Sequence, residues 1–124
     1  MTPAGATVVI VDDDPAVCSS LKFSLELEGF AVRAYGSAAE LLEVGKLDGC
    51  DCFVVDQRMP NMTGMELIAK LRAQKILTPM ILLVSGPPGG ALGSRAAAAN
   101  IQIVEKPLLG NVLVDRIRQA CRHT

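Results

Sequence analysis

The sequence predicts a doubly wound α/β fold with a parallel sheet, and three observations predict it. Short apolar runs rich in β-branched residues recur along the chain, each too short to be a helix. Segments with apolar residues at helical spacing lie between them, and strands alternating with helices imply a parallel sheet covered on its faces. The length of 124 residues suits one domain with one sheet at its centre. Half of the residues are hydrophobic, which excludes a disordered chain. With no Trp and one Tyr, the core falls to Val, Leu, Ile and Ala. No internal repeat or long linker divides the chain.

The first strand is Thr7–Val11, a β-branched run that ends in Asp12, Asp13 and Asp14. Pro15 suits the first position of a helix, with Asp14 as its N-cap. That helix runs to about Glu28 with Val17, Leu21, Leu25 and Phe30 facing inward, and Gly29 stops it. The second strand is Ala31–Tyr35. Ser37 and Glu40 form a capping box for a short helix over Ala38–Val44. After a loop over Gly45–Asp51, the run Phe53-Val54-Val55 reads as a strand buried on both faces, with Asp56 at its tip. A carboxylate at the end of a buried strand is costly unless it is paired. Pro60 and Gly64 open the chain into a loop, and Thr63 with Glu66 caps a helix over Gly64–Gln74, whose stripe is Leu67, Ile68 and Leu71.

The fourth strand is Met80–Val84, ending in Ser85. Residues 86–93 are rich in Gly and Pro, and a fourth helix begins between Gly90 and Ser94. Its run Ala96–Ala99 is expected to pack against the sheet, a partner surface being the alternative. Ile101–Val104 is the fifth strand, followed by Glu105, Lys106 and Pro107. The last helix spans Leu108–Cys121 with Val112, Leu113 and Ile117 facing inward, and Arg122-His123-Thr124 frays.

A net charge of −1, with no basic run and no interleaved aromatics, argues against a nucleic-acid partner. Met1–Thr7 lacks the pattern of a signal peptide, and no apolar stretch is long enough to span a bilayer. The expected location is cytoplasmic, with no membrane partner. The spacing of Cys18, Cys50, Cys52 and Cys121 fits no zinc pattern. They read as reduced thiols, with Cys50 and Cys52 on one face of the central strand.

In open α/β sheets function collects at the carboxyl ends of the strands. Those ends carry Asp12, Asp13, Asp56, Ser85 and Lys106. Clustered carboxylates repel and raise one another's pKa. A divalent, oxygen-seeking cation removes that conflict, and Mg²⁺ prefers one or two carboxylates, retained waters and a phosphate oxygen. A hydroxyl and an ammonium suit the other oxygens of a phosphoryl group. Taken singly, Asp12 could be a cap, Ser85 an ordinary strand end and Lys106 a solvated lysine. Their joint placement points to phosphoryl transfer onto a carboxylate.

At these positions the chain resembles the receiver domain of bacterial two-component response regulators. The resemblance rests on Asp12-Asp13, Asp56 with Met59-Pro60 and Gly64, Ser85, and Lys106-Pro107, and it spans nearly the whole chain. It implies a flavodoxin-like sheet of five strands in the order 2-1-3-4-5 with five helices. It implies that Asp56 accepts a phosphoryl group from a sensor histidine kinase or phosphotransfer protein. Asp13, Asp56 and the backbone carbonyl of Arg58 would bind Mg²⁺, Asp12 would hold a coordinating water, and Ser85 and Lys106 would contact phosphoryl oxygens. The Lys106–Pro107 bond is expected to be cis. Residues 1–124 are then expected to be a single receiver domain without an output domain, acting through a downstream protein. The surface of helix four, strand five and helix five is the candidate face for a homodimer, and His123 is a poor relay group.

The sequence departs from the family pattern in two places. The family's aromatic residue on strand five is Ile103 here, which has no ring to swing, so the expected mover is Ser85 and the loop after it. Pro87 cannot orient an attacking water by a side-chain hydrogen bond, and Arg58 flanks the same path, so hydrolysis of the acyl phosphate is expected to be slow. A Gly-rich phosphate cradle at residues 86–93 lacks a P-loop lysine pattern. Two competing functions are a receiver-like scaffold that is never phosphorylated and a phosphatase with an Asp nucleophile. The phosphatase needs a second acid two residues after the first, where Arg58 stands. A flavodoxin-like nucleotide binder would have three clustered acids facing its phosphate.

Overall fold

The computed structural model describes residues 5–44, 47, 49–86, 90–106 and 111–122. Its elements are β1 (Thr7–Val11), α1 (Pro15–Leu27), β2 (Ala31–Tyr35), α2 (Ala38–Val44), β3 (Cys52–Asp56), α3 (Gly64–Ala73), β4 (Met80–Ser85), α4 (Gly90–Ala98), β5 (Gln102–Lys106) and α5 (Val112–Arg122). The five strands form one parallel sheet in the order β2-β1-β3-β4-β5, as the resemblance implies.

The central strands are continuous apolar runs because both of their faces are covered. On one face, Val9, Val11, Phe53, Val55, Leu82 and Val84 pack with residues of α2, α3 and α4. On the other, Val8, Ile10, Cys52, Val54, Ile81 and Leu83 pack with Leu25 of α1 and with Leu113, Val114 and Ile117 of α5. The alternation along each strand divides its side chains between the two layers. β2 lies at the edge and none of its five residues is fully buried.

The helix caps follow the sequence. Asp14 Oδ1 accepts from the Ala16 N–H at 2.9 Å, with Pro15 in the first turn of α1. Thr63 and Glu66 close the capping box of α3, and Ser37 Oγ accepts from the Glu40 N–H at 3.1 Å. On α3, Leu67, Ile68 and Leu71 are fully buried, so truncating any one of them is expected to cost about 2–5 kcal/mol. At the opposite rim from the acids, Arg118 pairs with Glu28 at 2.8 Å and lies over the Phe30 ring, tying α5 to the turn between α1 and β2.

Several expectations need correction. Cys50 and Cys52 face opposite layers, because β3 begins only at Cys52 and the two-residue alternation does not extend back to Cys50. Cys18, rather than Val17, joins Leu21 against the core, and Val112 is exposed at the start of α5. β5 starts one residue later than Ile101, and both Ser85 and Lys106 are the last residues of their strands. Only Ala96 of the alanine run is buried, with Ala99 half-buried against the same layer. The last helix was expected from Leu108; residues 107–110, like Pro87, Pro88, Gly89 and His123, lie outside the described residues, as does the Lys106–Pro107 bond.

Candidate functional site

Sheet register brings the acids together. Val11 lies opposite Val55, so Asp12 and Asp56 leave adjacent strands at one level. Each is fixed by a backbone ladder. The Asp12 N–H donates to the Tyr35 carbonyl at 3.1 Å, and the Gln57 N–H just beyond Asp56 donates to the Leu83 carbonyl at 2.9 Å. Asp12 and Asp56 are buried, whereas Asp13 is exposed. One oxygen from each of the three carboxylates lies within 4.8 Å of the others.

Lys106 comes in from β5. Its Nζ is 2.9 Å from Asp56 Oδ1, a charged hydrogen bond, and 3.6 Å from Asp12 Oδ2, a charge contact too long to be a hydrogen bond. Asp12 Oδ1 accepts from the Asp14 N–H at 2.9 Å, while Asp12 Oδ2 is buried without a hydrogen-bond partner among the described residues. Burial pushes the Asp56 carboxyl above its ordinary pKa. The Lys106 hydrogen bond opposes that rise and the charge of Asp12 adds to it. For Lys106, burial acts to lower the pKa, but the bond and charge of Asp56, with Asp12, outweigh it and the net shift is upward.

An orphaned, buried carboxylate oxygen beside two further carboxylates is an excess of hard oxygen donors over protons and cations. That donor set fits Mg²⁺. Asp12, Asp13 and Asp56 are the side chains that could hold the ion.

Ser85 is in register with Lys106 at the same rim and is exposed. Arg58 is also exposed, two residues past Asp56. Ile103 is half-buried against the layer that contains α4. The requirement for glycine at position 64 is steric. A Cβ there would sit 2.6 Å from the Asp56 carbonyl oxygen and 2.7 Å from Leu82 Cδ1, so α3 starts in direct contact with the backbone of the phosphoacceptor candidate.

Sequence reasoning missed two neighbours of the site. Gln57 accepts from the Met65 N–H through Oε1 at 2.9 Å, across the loop between β3 and α3. The Cys18 thiol donates to the Asp12 carbonyl at 3.2 Å. Burial, followed by the nearby Asp12 charge, pushes that thiol's pKa up. A polar residue in the position after Asp56 was the available hint for Gln57; the contact itself depends on where the loop returns.

Comparison with known proteins gives one answer. The family model for the response regulator receiver domain matches residues 8–118. The transcriptional regulatory protein FixJ of Rhizobium meliloti is 36% identical over 118 residues, covering 94% of this chain and 57% of FixJ. The C4-dicarboxylate transport transcriptional regulatory protein DctR of Rhodobacter capsulatus is 34% identical over 111 residues, covering 88% of this chain and 56% of DctR. The chain thus spans a little over half the length of these relatives. The crystal structure of FixJ-N superposes with a TM-score of 0.87 at 33% identity, covering 98% of each chain. The chemotaxis protein CheY4 of Vibrio cholerae superposes with a TM-score of 0.84 at 23% identity, covering 94% of this chain and 99% of that one, a likeness of fold.

Proposed function

The chain belongs to the response regulator receiver family, and from that membership we propose that Asp56 accepts a phosphoryl group from a phosphohistidine of a sensor kinase or phosphotransfer protein. The observation that carries this reading is the buried Asp56 carboxylate, paired with Lys106 at 2.9 Å and set beside Asp12 and Asp13.

In the proposed step an Asp56 carboxylate oxygen attacks phosphorus, the phosphorus–nitrogen bond of the donor breaks, and the imidazole leaves with its electron pair. The product is an acyl phosphate. Negative charge on the transferring oxygens needs fixed cations. Lys106 supplies one, already oriented by Asp56 and Asp12. Asp13, Asp56 and the Arg58 carbonyl would hold Mg²⁺, with Asp12 reaching it through a water, and the ion would add positive charge against the phosphoryl oxygens. Ser85, at the rim beside Lys106, is assigned to a remaining phosphoryl oxygen.

The kinase side of the encounter is assigned to α1. Its apolar residues Phe23 and Leu27 are 66% and 71% exposed, and Ala16, Ser20, Phe23 and Leu27 share one stripe at helical spacing. Such a face suits a partner helix and starts at the acidic rim, where Asp13 and Pro15 lie. Output is assigned to protein contacts. The domain acts as a signalling module that undergoes its own phosphorylation and dephosphorylation and turns over no separate substrate.

The test is incubation with acetyl phosphate and Mg²⁺, read by intact mass. One phosphoryl adduct, absent in Asp56→Asn and absent in chelator, supports the proposal. No adduct from either acetyl phosphate or a phosphorylated kinase would favour the scaffold reading.

A further inference from the structure

An α-helix begins with N–H groups that have no partner inside the helix. In the first turn of α3 each of them is met. The Thr63 N–H donates to Glu66 Oε1 at 2.9 Å, and the Glu66 N–H to Thr63 Oγ1 at 3.2 Å. The Gly64 N–H donates to the Gln57 carbonyl at 3.1 Å, and the Met65 N–H to Gln57 Oε1 at 2.9 Å. Gln57 therefore takes two of the four donors. Its own N–H is bound to the Leu83 carbonyl of β4.

Gln57 stands between two groups that matter. Before it is Asp56, and after it is Arg58, whose carbonyl is assigned above to the metal. The loop from 57 to 64 is closed on itself at Gln57, and its far side turns tightly, with the Met62 N–H donating to the Pro60 carbonyl at 2.8 Å and Asn61 in the left-handed region. Met59 is half-buried against the core. Arg58 is thus held between a residue pinned by three hydrogen bonds and one anchored by packing.

We infer that Gln57 is a positioning residue: by holding the Met65 amide, its side-chain oxygen fixes the loop that carries the Arg58 carbonyl and so sets the affinity of the acidic site for a divalent cation. This rests on the receiver reading of the site. Without the side chain, the Gly64-to-Gln57 backbone bond alone closes the loop, and the carbonyl samples orientations that do not face the acids.

The test compares Gln57→Met, which keeps the length but removes the carboxamide oxygen, with Thr63→Ala, which removes a cap from the same helical turn without touching Gln57. Mg²⁺ is titrated against amide chemical shifts. Hydrogen exchange at Met65 is measured without metal, and labelling by acetyl phosphate is followed against Mg²⁺ concentration. Gln57→Met is expected to weaken Mg²⁺ binding about tenfold, to speed exchange at Met65, and to reach the wild-type labelling rate when Mg²⁺ saturates. Thr63→Ala is expected to leave the Mg²⁺ midpoint in place. Unchanged Mg²⁺ affinity in Gln57→Met, or an equal loss in Thr63→Ala, would overturn the inference. A wild-type protein that neither binds Mg²⁺ nor becomes labelled would instead overturn the phospho-accepting role proposed for Asp56.

Discussion

Lys106 pairs with Asp56 at 2.9 Å although their strands are not neighbours: β4 lies between β3 and β5. Asp56 is in register with Leu83, and Leu83 with Val104, so Lys106 stands two residues further along its strand and reaches back across the sheet end. One ammonium thereby meets two buried carboxylates, of Asp56 and Asp12.

Removing that ammonium leaves both carboxylates without their cation. Lys106→Ala is expected to lower stability in chelator by about 2–3 kcal/mol, less than for a fully buried pair because the lysine is partly exposed. Added Mg²⁺ should restore part of the loss by binding the folded state. Urea denaturation with and without the metal measures both.

Gly64→Ala places a methyl group against backbone as well as against Leu82, and backbone does not give way as a flexible side chain does. The expected cost is about 2–3 kcal/mol. Weaker labelling of Asp56 should accompany it, since the contact is with the Asp56 carbonyl. Denaturation and acetyl phosphate labelling of the same variant check the two effects together.

Glu66 gives a pH dependence of known sign. Its hydrogen bonds with Thr63 hold the carboxyl below its ordinary pKa. The ionised form is favoured by folding, so its contribution is present above the ordinary carboxylate range and is lost as pH falls through the lowered folded value. The group is exposed and the effect is small. A wild-type advantage over Glu66→Gln in thermal unfolding is expected at neutral pH and should fade as the pH drops below the ordinary carboxylate range and through the lowered folded value.

The acyl phosphate is expected to persist for minutes or longer, because Arg58 occupies the position two residues past Asp56, where an acid would assist water. Loss of the adduct followed by intact mass gives the half-life. Decay within seconds would contradict the expectation.

Most of the framework is written in local sequence. Buried parallel strands show as unbroken apolar runs, and the caps at Asp14, Ser37 and Thr63 mark helix starts by short-range hydrogen bonds. The site was legible because four of the five strands end at, or one residue before, a polar residue, so fixing β1, β3, β4 and β5 also fixes Asp12, Asp56, Ser85 and Lys106 along one rim. What depended on distant contacts was harder to read. The opposite facing of Cys50 and Cys52 follows from where pairing with β1 begins. The role of Gln57 depends on the return path of a loop. Val17 and Cys18 are adjacent on α1, and the helix's roll against β2 decides which of them meets the core.

The central claim is that Asp56 carries the phosphoryl group, and chemical trapping tests it most directly. After treatment with acetyl phosphate and Mg²⁺, borohydride reduces an aspartyl phosphate to homoserine, which peptide mass spectrometry locates. Homoserine at position 56 and at no other aspartate is the predicted result. A reduced residue at Asp12 or Asp13, or a phosphoryl adduct that survives in Asp56→Asn, would contradict it.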